Sequence, residues 1–323
     1  MKTAIATGLT LITASAHAET LTVYAPDYFA SEWGPGPAIA KAFEAETGAT
    51  LDYVTGDVLP RLRLEGDATE ADVVIGLNTD TAQPARETGL FAPHGVDTSG
   101  LTLPVEWTDE TFLPFNWGHT AFIYDATKME TPPASFAELR ALPDDVTLVL
   151  QDPRSSVSGL ALALWIHRVF GDEAEAAWAD IADNVVTVTA GWSESYGMFT
   201  EGEADMVLSY TTSPAYHIIA EEDDTKAAAI FPEGHYVMVE TAAKVASTDQ
   251  PELAQAFMDF VLTPAFQTII PTGNWSFPAA QTEALPAGFE KLNLPDVALI
   301  YTAEEAEGLR ETVVGEFERG LGR

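Results

Sequence analysis

Tyr210 and Tyr216 flank the stretch Thr211-Thr212-Ser213-Pro214-Ala215, directly after the apolar run Met206-Val207-Leu208. Phenolate oxygens suit a hard ferric ion. Phenol faces also stack on flat organic ligands and on cations, or pack in a core. Residue type and spacing leave all three readings open. The ferric reading lacks a neighbouring His-Glu set to complete a coordination sphere.

Other loop segments carry aromatic and hydroxyl side chains in the same way. They are Asp27-Tyr28 with Trp33, Gly56-Asp57, Asn78, Ser155-Ser156-Val157, Trp192 and Trp275. Each follows an apolar run that reads as a strand. In open α/β sheets, the loops after strands meet at one edge and carry ligands there. One loop tryptophan is ordinary packing, but a set of seven such segments suggests an aromatic-lined cleft. Such a cleft suits a flat cationic ligand, which gains stacking and cation–π energy on indole and phenol faces.

Nucleophilic catalysis has little support. Gly191-Trp192-Ser193-Glu194-Ser195 resembles a nucleophile elbow, but Ser195 stands where the second glycine belongs. The histidines are scattered, and no carboxylate pair has catalytic spacing. The residues read as a binding protein, not an enzyme.

The elements that position these loops alternate along the chain. Leu21–Tyr24, Leu51–Val54, Asp72–Leu77, Phe122–Tyr124, Val146–Leu150, Val185–Val188, Met206–Tyr210 and His235–Glu240 read as strands. Between them lie helical patterns. One contains Ile39, Ala42 and Phe43 and ends at Gly48. A second has Asp57 as its cap, and Ser135 with Glu138 forms a capping box for a third. Further helices are expected over 160–170, 173–182, from Trp192 onward, and over 251–270 with a break at Pro264. Thr302 with Glu305 caps a last one to about Leu321. This β-α-β-α order is the grammar of layered α/β domains. Chain length favours two lobes. The absence of a flexible linker implies crossings through ordered strands, near Phe115–Tyr124 and His235–Ala243.

The N-terminus and the composition set the compartment. Met1-Lys2, an apolar stretch to Ser15 and Ala16-His17-Ala18 form a secretory leader, with cleavage expected after Ala18. The chain has no cysteine, hence no disulfide, thiolate or lipid anchor at the cleavage site. The mature protein is expected free in a periplasm, with no membrane insertion. Acids outnumber bases 50 to 15, for a formal charge of −35. Most of this reads as a solvated surface. The field also favours cations and disfavours nucleic acid.

Several motifs occur in a recognisable order. They include LTVYAPDYFASEWGPGPAIAKAFEAETG, RLRLEG, ADVVIGL, LQDPR, VTVTAGWSESYG, LSYTTSPAYH, EGHY and IPTGNW. Together they resemble the periplasmic thiamine-binding proteins of thiamine ABC importers, over nearly all of the mature chain. The resemblance implies a type II solute-binding fold: two lobes, each a mixed β-sheet flanked by helices, joined by strand hinges. The first lobe would hold residues 19–115 plus 241–277, and the second 116–240 plus 278–323. The ligand would be thiamine or its mono- or diphosphate, with no cofactor. The partner would be the permease of an ABC importer. A ferric-ion-binding protein of the same fold is the alternative.

Matched motif by motif, the ligand residues would be Trp33, Gly56, Asp57, Ser156, Val157, Trp192, Tyr210, Thr211, Thr212, Ser213, Tyr216 and Trp275. Asp27, Tyr28 and Asn78 extend the set. Tyr216 would stack on the aminopyrimidine, and the tryptophans would border the thiazolium. Ser156 and Val157 would face the phosphate end. The sequence departs from the family pattern in three places. Pro26 stands before Asp27 where a tyrosine is common, so a stacking face is lost or Tyr28 replaces it. The loop at Gly56-Asp57 is short. Asn78 stands where an aspartate is commonly seen.

Overall fold

The computed structural model describes residues 19–322. The leader expected over residues 1–18 lies outside them. Twelve strands form one continuous hydrogen-bonded network. They are β1 (Thr20–Ala25), β2 (Thr50–Thr55), β3 (Val73–Asn78), β4 (Phe91–Ala92), β5 (Leu113–Asp125) and β6 (Leu148–Gln151). Then come β7 (Val185–Thr189), β8 (Met206–Tyr210), β9 (Lys226–Ala229), β10 (His235–Val245), β11 (Phe277–Pro278) and β12 (Ala298–Leu299).

The main path runs β2-β1-β3-β10-β5-β8-β6-β7. Each end of it is a parallel block: β2-β1-β3 in one lobe and β8-β6-β7 in the other. Between the blocks, β10 and β5 run antiparallel to each other and to both neighbours. These two long strands make the hinge. Near Leu113–Trp117, β5 pairs with β10 and β11; from Thr120 onward it pairs with β8. The register of β10 slips between Glu240 and Thr241 on one side and between Thr241 and Ala242 on the other. Such irregularities bend a strand locally, here where the chain passes between lobes.

Each lobe buries both faces of its sheet. In the first lobe, the helices Gly36–Thr47 and Pro251–Val261 cover one face through Ile39, Phe43, Phe257 and Phe260. The helices Val58–Glu65 and Thr79–Arg86 cover the other through Leu62 and Ala85. In the second, the helices Val157–Phe170, Ala174–Ile181 and Ala303–Leu321 enclose Trp165, Trp178 and Phe317. The helix Trp192–Thr200 closes the opposite face through Tyr196 and Phe199. Burying large apolar side chains on both faces is what a central parallel sheet requires.

The expected α/β fold is present, with mixed sheets flanked by helices. Several expectations need adjusting. β5 and β10 run well past the expected Phe122–Tyr124 and His235–Glu240. In β10, buried Thr241 continues the strand beyond Glu240, where polarity suggested an end. Asp57 precedes the helix Val58–Glu65, but its side chain makes no cap bond. Ser135 accepts from the Glu138 amide, while the Glu138 carboxylate turns back to the Ala134 amide instead of closing the box. β4, β11 and β12, two residues each, are too short to show periodicity. β9 is Lys-Ala-Ala-Ala, which resembles no strand.

The C-terminal segment crosses between lobes. Pro278 pairs with Asn116, and the Ala279 amide donates to the Phe115 carbonyl. The helix Ala303–Leu321 packs on second-lobe helices, yet Arg310 Nη2 donates to the Asp80 carbonyl of the first lobe at 2.7 Å. Among the described residues, no single helix is long and apolar enough to cross a membrane.

Candidate ligand-binding cleft

Trp33 stands on the turn after the short helix Asp27–Ala30. Gly34 shapes this turn: a Cβ there would lie 2.1 Å from the Tyr28 carbonyl oxygen. Trp33 is 65% exposed, unusual for an indole without a ligand-facing role. From the second lobe, Trp192 opens its helix and Tyr216 projects from the helix Ser213–Ala220. These three aromatics line one cavity of about 490 Å³. Small-molecule sites span roughly 300–1,000 Å³.

The walls of the cavity are braced. Trp192 Nε1 donates to Ser209 Oγ at 2.7 Å, and its ring stacks on Tyr196 at 4.7 Å. The Tyr196 hydroxyl lies 2.9 Å from His217 Nε2, and His217 Nδ1 lies 2.6 Å from Glu221. Trp275 meets Tyr216 edge to face, with centroids 5.2 Å apart and planes at 81°. Trp275 has φ 49°, one of two non-glycine residues at positive φ among those described. That backbone is strained for an indole side chain.

Charge lies at two places. Glu221, Asp223 and Lys226 border the cavity. Lys226 is paired with Asp125 at 3.1 Å and Asp223 at 3.2 Å. Bonds from Thr225, then Lys226, hold Asp223 down to about 2. His217, Glu221 and Asp223 bring ligand-type atoms within 4.8 Å of one another, but their bonds are already engaged in this network. The second place is Glu240, buried on the hinge strand. It accepts from the Tyr28 hydroxyl, from Asn116 Nδ2 at 2.6 Å and from Asn274 Nδ2 at 2.9 Å. Burial pushes its carboxyl up, and those three bonds oppose the rise. The phenol of Tyr210 is pushed up by burial and then by the Glu240 carboxylate. Tyr28 rises for the same two reasons.

The remaining expected residues divide. Ser156 caps the helix Val157–Phe170, accepting from the Gly159 amide, and Val157 is exposed beside it. Thr211 and Thr212 are buried; Thr211 Oγ1, like Asn116 Oδ1 and Thr120 Oγ1 nearby, has no protein partner. Buried polar atoms of this kind call for a ligand or water. Ser213 is occupied internally, bonding Ser209 Oγ at 2.7 Å and the Tyr210 amide. Asn78 Oδ1 accepts from the Thr81 amide in a capping box, while its Nδ2 is buried without a protein partner. Of the expected residues, Trp33, Trp192 and Tyr216 line this cavity; Asp27, Tyr28, Gly56, Asp57, Asn78, Ser156, Val157, Tyr210, Thr211, Thr212, Ser213 and Trp275 do not.

Reading motifs alone missed Tyr196, His217, Glu240 and Asn274. Two signals existed. His217 and Glu221 stand at helical i,i+4 spacing, and Glu240 is an acid inside an otherwise apolar run.

Comparison with known proteins shows what the chain as a whole is similar to. Residues 34–268 match the model of the bacterial extracellular solute-binding protein family. The chain is 49% identical over 307 residues to a thiamine-binding periplasmic protein of Escherichia coli K12, covering 94% of each. Among solved structures, a periplasmic thiamin binding protein superposes with TM-score 0.91 at 48% identity, covering 98% of this chain and 100% of that one. Iron-bound HitA from Pseudomonas aeruginosa shares the fold alone, with TM-score 0.73 and 22% identity over 91% and 99% of the two chains.

Proposed function

Because the chain belongs to the bacterial extracellular solute-binding proteins, and within them to the thiamine-binding periplasmic proteins, we propose that it captures thiamine between its lobes. It is a periplasmic carrier, not an enzyme. It delivers its ligand to the membrane permease of an ABC importer.

The cavity carries this reading. Trp33 from the first lobe lines it together with Trp192 and Tyr216 from the second. A ligand with one flat neutral ring and one flat cationic ring gains dispersion from all three and cation–π attraction from the indoles. We assign the aminopyrimidine to the Tyr216 face and the thiazolium to the tryptophans, Trp275 included. The buried Glu240 carboxylate adds negative potential at the hinge. In a thiamine phosphate, the ester end would meet the N-terminus of the helix Val157–Phe170, where Ser156 and free amides suit an anion.

The ferric alternative has less support from the cavity, which Tyr216 borders and Tyr210 does not, so the two phenols are not gathered at it. Two measurements test the thiamine reading. Protein purified from cells should release thiamine on denaturation, detected as thiochrome, and micromolar thiamine should quench tryptophan fluorescence. Failure of both would overturn it.

A further inference from the structure

We infer that Glu240 is a positioning residue for the cleft, acting through Asn274 to set the indole of Trp275 against Tyr216. The proposal rests on the thiamine reading for its ligand, and on geometry for its mechanism.

Glu240 lies at the junction of the lobes. In register it faces Asn78 of β3 on one side and Asn116 of β5 on the other, with the slip in β10 immediately after it. Its carboxylate gathers donors from three separate segments: Tyr28 on the short helix Asp27–Ala30, Asn116 on the hinge, and Asn274 after the helix Ile270–Gly273. Asn274 immediately precedes Trp275 in the chain. Its side chain is held 2.9 Å from Glu240, so the backbone leading into the indole is anchored.

Trp275 needs such an anchor. Its positive φ is unfavourable for a side chain of this size and persists only where surrounding contacts impose it. The Asn274–Glu240 bond is one such contact, and the Tyr216 edge contact is another.

Hydrogen-bond capacity decides which variant tests this. The Asn116 and Asn274 amides both donate to Oε2, and the Tyr28 hydroxyl on Oε1 can also accept. Glu240→Gln can therefore keep the Asn274 bond, whereas Glu240→Ala removes it. Direct attraction of a cationic ligand by Glu240 would also make Glu240→Ala weak, so a second variant has to separate the two effects. Asn274→Ala does so, because it removes the anchor and leaves the charge.

The test is calorimetric titration with thiamine of wild type, Glu240→Ala, Asn274→Ala, Trp275→Ala and the two double variants carrying Trp275→Ala. Glu240→Ala and Asn274→Ala should each weaken binding about 10-fold. In the Trp275→Ala background, each should cost less than about 3-fold more, because coupled residues are non-additive. Wild-type affinity in Asn274→Ala, or a full-size loss from it on top of Trp275→Ala, would overturn the assignment. If Glu240→Ala does not fold, Asn274→Ala and its double variant decide alone. If wild type itself fails to bind thiamine, the ligand reading falls separately. The near-UV circular dichroism contributed by Trp275, taken as wild type minus Trp275→Phe, then decides: it should change in Asn274→Ala, and an unchanged signal would refute the anchor.

Discussion

Tyr216 and Trp275 approach each other from opposite lobes, edge to face, with ring centroids 5.2 Å apart. Tyr216 is 37% exposed and lines the cavity with Trp33 and Trp192. Its ring is thus available on one face and steadied at its edge. Tyr216→Ala should weaken thiamine binding by about 1–3 kcal/mol with little change in thermal stability. Tyr216→Phe, which keeps the face, should bind close to wild type. Titration of tryptophan fluorescence checks both; an Ala variant with unchanged affinity would remove Tyr216 from the site.

Gly34 allows Trp33 to stand where it does. A methyl group there would sit 2.1 Å from the Tyr28 carbonyl oxygen and 2.6 Å from that of Phe29, both backbone atoms. Gly34→Ala must therefore displace the turn. Overpacking of this kind costs about 1–3 kcal/mol. The expected result is a lower midpoint in urea and weaker thiamine binding together. Loss of stability with full affinity would show that the turn does not place Trp33.

Asp80 lies between the lobes, its Oδ1 accepting from the Tyr236 hydroxyl at 2.7 Å while Oδ2 is buried without a partner. Burial, opposed by Tyr236 and Arg310, pushes its carboxyl up to about 6. The folded state then holds a proton that the unfolded state has released between about pH 4 and 6. Stability falls as pH rises through that window. Asp80→Asn removes the titration, and any pH-independent cost of the amide cancels between two pH values. Relative to wild type, the variant should gain about 2–3 kcal/mol between pH 4 and pH 7. Urea unfolding at both pH values measures it, and an equal difference at the two would contradict the shift.

The alternation of strands and helices was legible because buried strands and amphipathic helices carry strong periodic signals. The extent of β5 and β10 was not, because polar residues such as Asn116, Glu240 and Thr241 interrupt the apolar pattern while remaining buried. The aromatic members of the cleft were visible as residue types on loops, and the resemblance supplied their grouping. What it could not supply was the use each polar side chain has locally. Asn78 and Ser213 look like ligand groups in a motif, yet one caps a helix and the other bonds Ser209. Glu240 showed the reverse: an acid in an apolar run marks it as unusual, but its three partners lie far away in the chain, so nothing local shows what it does.

His235 provides a test of the hinge on the acid side. It begins β10, is fully buried, and tilts against Trp165 at 4.7 Å. Its Nδ1 donates to the Thr120 carbonyl at 2.7 Å, and its Nε2 accepts from the Phe231 amide at 2.8 Å. Both bonds need one neutral tautomer, because protonating Nε2 removes the acceptor. Burial accordingly lowers the imidazole to about 4. The unfolded chain takes up this proton from about pH 6.5 downward, while the folded protein resists until about 4. Stability from this group is therefore complete above pH 6.5 and declines as pH falls toward 4. The loss by pH 5 should be about 2 kcal/mol. His119, also lowered to about 4 by burial, adds in the same direction, and Asp80 opposes both. His235→Gln is expected to lower stability at pH 7, where it disturbs both bonds, but to flatten the decline between pH 7 and pH 5. Urea denaturation of the two proteins at those pH values reads the difference. An unchanged slope would mean that His235 does not carry the acid sensitivity of the hinge.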